Sequence, residues 1–195
     1  MRKLRDRFED CYTAVPVPDN SRKGFKMKYI YYAPWYVWDM EENLLRNQKW
    51  ALLMCSVAGA GINVLSAMQK SPQNKMVVLF LIFTLSLCCH VMEFRGLLQF
   101  LLAKYRTTKM TYEDVNRILL TAPILRAALS GVLVIACVFG AVTGGGMLSG
   151  VTALGYALSA VTAIWVYRRY SRIPLRVVEN DTLDQYKTEQ NKEGS

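Results

Sequence analysis

"AALSGVLVIACVFGAVTGGGMLSGVTALGYALSAVTAIWVY" (residues 127–167) contains no Asp, Glu, Lys or Arg. A bilayer core of about 30 Å needs roughly 20 helical residues. The stretch is too long for one crossing and fits two joined by a turn. "TGGGMLSG" (143–150) supplies that turn, because glycine takes backbone angles that close tight connections. Two more charge-free intervals precede it, residues 50–69 and, with His90 neutral, residues 76–92. The sequence therefore predicts four transmembrane helices, over about 50–68, 76–94, 124–143 and 149–167. A soluble helical bundle would need a polar stripe on each helix, and none is evident in these segments. With 52% hydrophobic residues and a mean hydropathy of +0.14, the chain suits this reading.

Charge sets the expected orientation. Of 24 Lys and Arg, ten lie in residues 1–49, six in 93–126, six in 168–195 and only two in 69–75. Basic residues accumulate on the cytoplasmic side. The fold class expected is an all-α integral membrane protein with four spans in two hairpins. Both termini should be cytoplasmic, the outer loops very short, and the 95–123 connector cytoplasmic. Domains divide as an N-terminal arm (1–38), a transmembrane domain (39–167) and a basic anchor with a polar, disordered tail (168–195). The net charge of +9 is largely this topology signal rather than a nucleic-acid patch. No apolar run follows "MRKLRDRFED", so no cleaved signal is expected. Short outer loops and the lack of such a signal point to a bacterial inner membrane.

The arm carries its own signals. Residues 2–12 suit a short basic helix, 14–24 a turn-forming Pro-rich stretch, and 25–32 a strand. "YIYYAPWYVW" (29–38) concentrates Tyr29, Tyr31, Tyr32, Trp35, Tyr36 and Trp38. Rings with a polar edge favour the headgroup level, so these residues are expected at the inner interface, with a small cytoplasmic sheet as the rival. Asp39 and Glu42 form a D-x-x-E variant of the capping box at the first helix. Between spans two and three, Thr111 and Asp114 should cap a separate amphipathic helix with Val115, Ile118, Leu119 and Ala122 on one face. Pro123 should then open the third span. "IPLRVVEN" (173–180) reads as a short strand able to pair with the arm.

Small-residue rows predict helix packing. Cys55, Gly59, Asn63 and Ala67 form one in the first span, with Asn63 as its polar contact. Ala128, Ala136, Gly140 and Gly144 form a row in the third span. Gly155, Ser159 and Ala163 form one in the fourth, expected to face the third directly.

Chemistry is sparse. The lone histidine lies in "LCCHVMEFRG" (87–96). A helix entered at Lys75 would carry His90 about 22 Å, Glu93 about 27 Å and Arg95 about 30 Å along its axis, to the inner boundary of the second span. Glu93 is expected to pair with Arg126, and His90 to titrate against Glu93. One histidine cannot supply HExxH, no CxxC or phosphate loop occurs, and the five cysteines suggest no disulfide framework. No catalytic, cofactor or metal site is expected. The function class expected is a membrane accessory, scaffold or regulatory protein. It would act through lipid headgroups, a cytoplasmic or membrane protein partner, or a second copy of itself. An oligomeric small-solute or ion transporter or channel is the alternative, and an enzyme of unfamiliar type the next.

Overall fold

The computed structural model describes residues 11–18, 25–71, 74 and 76–180. The basic helix expected over residues 2–12 and the tail beyond residue 180 fall outside or mostly outside them. The chain divides into two compact units: Asp39–Ala103 with Glu113–Pro174, and Met1–Trp38 with Lys104–Tyr112 and Leu175–Ser195.

The first unit is helical. It is built on α1 (Glu42–Met68), α2 (Val77–Leu102), most of α3 (Lys109–Gly140) and α4 (Gly146–Ser171). All four helices are long and apolar enough to cross a membrane. Their burial pattern is inverted relative to a soluble bundle. Ile135, Phe139 and Leu154 are 71%, 70% and 67% exposed, whereas Ser56, Asn63, Ser86, Glu93, Arg126 and Ser159 are buried. Lipid solvates the apolar surface, so polar side chains turn inward to find partners. This is the architecture of an all-α membrane protein.

On both α1 and α4 the buried seam alternates steps of three and four, the spacing that keeps one helical face on its neighbours. On α1 it runs Lys49, Leu52, Ser56, Gly59, Asn63, Ser66. On α4 it runs Ser149, Thr152, Tyr156, Ser159, Ala163, Val166. These two helices share a long backbone contact, and small side chains permit it. A Cβ on Gly155 would strike the Ser66 hydroxyl, and one on Gly59 would strike Thr162. The expected partner of the Gly155–Ser159–Ala163 row was the third span. The close contact is instead with α1, because the small residues of α1 lie opposite. α3 meets α4 through larger side chains, Leu133 and Cys137 clustering with Ala153 and Tyr156. The row expected on α3 is displaced: Ala128 is exposed and Ala136 half-buried, while Arg126, Ser130, Leu133, Cys137 and Gly140 are buried. The backbone of Gly144 lies in a π-helical turn over Ala141–Gly145, which carries the chain from α3 to α4.

Helix ends also depart from expectation. Neither Asp39 nor Glu41 makes a capping box; α1 begins at Glu42 with no side-chain cap bond, and Glu42 complements the helix dipole. At the other end of α1, Asn74 Nδ2 donates to the carbonyls of Ser66, Ala67 and Gln69 at 2.9–3.0 Å. Asn74 Oδ1 in turn accepts from Tyr156 at 3.3 Å. Lys49 Nζ donates to Ala103 O (2.7 Å) just beyond α2, where a cation satisfies an orphan carbonyl. The amphipathic helix expected before the third span is no separate element. α3 runs through Pro123, because the buried face of Val115, Leu119 and Ala122 continues unbroken into Arg126. Its cap is Thr108, whose Oγ1 accepts from Thr111 N at 3.4 Å, rather than Thr111 itself.

The second unit is β-structured. β1 (Tyr12–Pro18) pairs antiparallel with β2 (Phe25–Tyr31), so the expected turn region at 14–18 is strand. A three-stranded antiparallel sheet has the order β4 (Arg106–Thr107), β3 (Trp35–Trp38), β5 (Leu175–Val178). The rival sheet reading is thus the observed one, and the 173–180 segment pairs with the arm. Several aromatics expected at a membrane interface form this unit's core. Tyr31 and Trp38 are buried, and Tyr36 stacks on Tyr112 with centroids 4.7 Å apart. Tyr31 Oη donates to Pro34 O (2.8 Å) and accepts from Lys109 N (3.0 Å), and burial pushes its pKa up. Trp35 packs on Tyr31, and only Tyr29 and Tyr32 of the six are exposed. Rings with polar edges suit a wet interface and a hydrogen-bonded core equally well, and strand pairing selects the core.

Candidate functional site

The helical unit encloses one charged cluster. Glu93 from α2 and Arg126 from α3 are both fully buried, with Arg126 Nη1 3.0 Å from Glu93 Oε1. The same Nη1 lies 3.0 Å from His90 Nδ1. On its other side, Arg126 Nη2 donates to Thr162 Oγ1 (3.0 Å) and toward Ser159 O (3.5 Å) of α4. Thr162 Oγ1 completes the circuit by donating to Ser159 O at 2.7 Å. Ser56 of α1 faces the Glu93 carboxyl. All four helices thus contribute to the surroundings of one guanidinium.

Helix geometry explains the convergence. His90 and Glu93 are three residues apart and share a face of α2. Gly59 leaves room for Thr162, whose hydroxyl a Cβ there would strike, and so for the bond from Arg126 to that hydroxyl. Gly96, one turn beyond Glu93, lets α2 approach Ile118 and Leu119 of α3. Asn63 extends the polar seam by donating to Ser86 Oγ of α2 at 3.3 Å.

The Glu93–Arg126 pairing anticipated from sequence is present, and its setting is new. The pair, expected at the cytoplasmic boundary of the span, is fully enclosed by the helices. His90 and Glu93 meet through the shared Nη1 of Arg126. Arginine can only donate, so His90 accepts at Nδ1 and carries its proton on Nε2. Arg95 is exposed and takes no part. Sequence reading missed Ser56, Gly96 and Thr162, and it gave Ser159 only a packing role. Each is a small polar or glycine residue unremarkable in an apolar helix, and only the three–four spacing of Ser56, Gly59, Asn63 and Ser66 marks the seam.

The cluster is incompletely satisfied. His90 Nε2, Glu93 Oε2, Arg126 Nε, Ser130 Oγ and Ser159 Oγ are buried without a protein hydrogen-bond partner. Buried polar atoms of this kind are commonly met by internal water, which needs two to four polar partners. Among the described residues, no three His, Cys, Asp or Glu gather as a metal site. Chemically, the arrangement can hold a charge pair out of lipid and orient a neutral imidazole. The chain matches no protein-family model, no curated protein and no solved structure.

Proposed function

We propose that the chain is an integral-membrane accessory or scaffold protein, without catalysis of its own. Its helices anchor the β-structured unit at the cytoplasmic face of a bacterial inner membrane, where that unit engages a protein partner. The observation that carries this reading is the β4-β3-β5 sheet. Its strands come from before α1, from between α2 and α3, and from after α4. Strand hydrogen bonds do not form across a bilayer, so one sheet from these three segments favours two hairpins with those segments on one side. The same segments carry most of the 24 Lys and Arg, which favours the cytoplasm. Purification in mild detergent after cross-linking tests it. A stoichiometric protein partner lost on removing residues 11–31 supports the reading; a chain recovered alone, or only with itself, opposes it.

The buried cluster favours a second reading, transport. Ionisable groups inside a membrane bundle commonly mark ion or proton paths. Solute or proton flux through the purified protein in liposomes, abolished by Glu93→Gln, would favour this alternative over the scaffold.

A further inference from the structure

The last turns of α4 carry a groove of about 320 Å3 on the flank of the helix. Val161, Ile164 and Trp165 line its apolar end, and Arg168, Arg169 and Arg172 line the other. Val161, Ile164 and Trp165 are 60%, 45% and 41% exposed on a membrane-length helix. No carboxylate is among the lining residues. Trp165 and Arg168 are three residues apart and share a face of α4, and Arg172 follows in the turn just beyond it. Arg169 Nε donates to Gln48 Oε1 of α1 at 2.8 Å, which fixes this guanidinium and leaves its terminal nitrogens for another acceptor.

We propose that this groove is a binding site for one anionic phospholipid. The guanidiniums bind the phosphate, where their planar forks match paired oxygens. Trp165 sits at the glycerol level, and Val161 and Ile164 contact the acyl chain. Charge complementarity selects the occupant: among the described residues lining the groove three arginines stand with no carboxylate, which favours an anion, and the contiguous apolar strip favours an anion that carries a hydrocarbon tail. The inference deepens the accessory reading, but it needs only that α4 crosses the membrane. A failure to find a protein partner would leave it standing.

The test uses the full chain in mild detergent, titrated with brominated phosphatidylglycerol or brominated phosphatidylcholine. Quenching is read as the part of the tryptophan emission that Trp165→Phe removes. The expected result is half-quenching by phosphatidylglycerol at a concentration well below that for phosphatidylcholine. Arg172→Gln should raise that concentration about fivefold, and Arg168→Gln with Arg172→Gln roughly 25-fold. Inorganic phosphate at millimolar excess should not relieve the quenching. Equal quenching by the two lipids, an unchanged midpoint in the folded variants, or displacement by free phosphate would overturn the proposal. The selectivity of the unmodified chain decides the matter even where a variant does not fold.

Discussion

Replacing Glu93 with Gln is the sharpest perturbation of the buried cluster. The carboxamide keeps the shape of the side chain and leaves Arg126 with His90, Thr162 and Ser159 O as partners. Among the described residues, it removes the only counter-charge within hydrogen-bond distance, 3.0 Å from Nη1. Both side chains are fully buried, so solvent screening cannot absorb the loss. Removing one partner of such a pair costs about 3–5 kcal/mol, because an uncompensated charge remains. Arg126→Gln alone should cost a similar amount by stranding Glu93. The double variant should cost much less than the sum, since two amides can bond each other and no charge is left. Expected coupling is therefore several kcal/mol, well above the roughly 0.5 kcal/mol scatter of independent sites. The assay is reversible unfolding in mixed micelles with rising denaturing detergent, followed by circular dichroism. Cross-linking between cysteines placed on α2 and α3 should fall in Glu93→Gln in parallel. Additive single and double values, or a Glu93→Gln chain as stable as the parent, would refute the view that the pair is a bonded, desolvated unit.

Other consequences follow from close contacts and caps. Gly59→Val should lower the melting temperature in detergent and do so far more than Gly61→Val, because a side chain at Gly59 meets Thr162 while Gly61 faces open space. Asn74→Ala removes the group that joins three carbonyls at the end of α1 to Tyr156, and should cost about 1–3 kcal/mol by leaving acceptors unmet. Detergent unfolding midpoints check both. Thr108→Ala should destabilise the start of α3 by about 1 kcal/mol and Thr111→Ala by less, a ranking that amide exchange over residues 109–113 can read.

The four spans were legible because absence of charge over bilayer length is a strong signal that does not depend on tertiary contacts. The Glu93–Arg126 pairing was legible for a related reason: an acid and a base at the ends of two charge-free segments have few other partners. The surroundings were not. Ser56, Ser86 and Thr162 are compatible with apolar helices, and only packing shows that they point inward. Pro123 read as a helix start, yet the buried face passes through it, and tertiary contacts outweigh the missing hydrogen bond. β3, β4 and β5 span only four, two and four residues, and their partners lie far apart in the chain. No local pattern specifies such pairings, so the aromatics between them read as a membrane belt rather than a small core.

Thiol labelling in intact cells tests the central claim most directly. In a cysteine-free background, single cysteines would replace Lys70, Glu41, Lys104 and Arg176, all of which are exposed. With two hairpins and both ends cytoplasmic, a membrane-impermeant reagent should label Lys70→Cys in whole cells. It should label Glu41→Cys, Lys104→Cys and Arg176→Cys only after lysis. Labelling of any of those three in intact cells, or protection of Lys70→Cys there, would contradict the account.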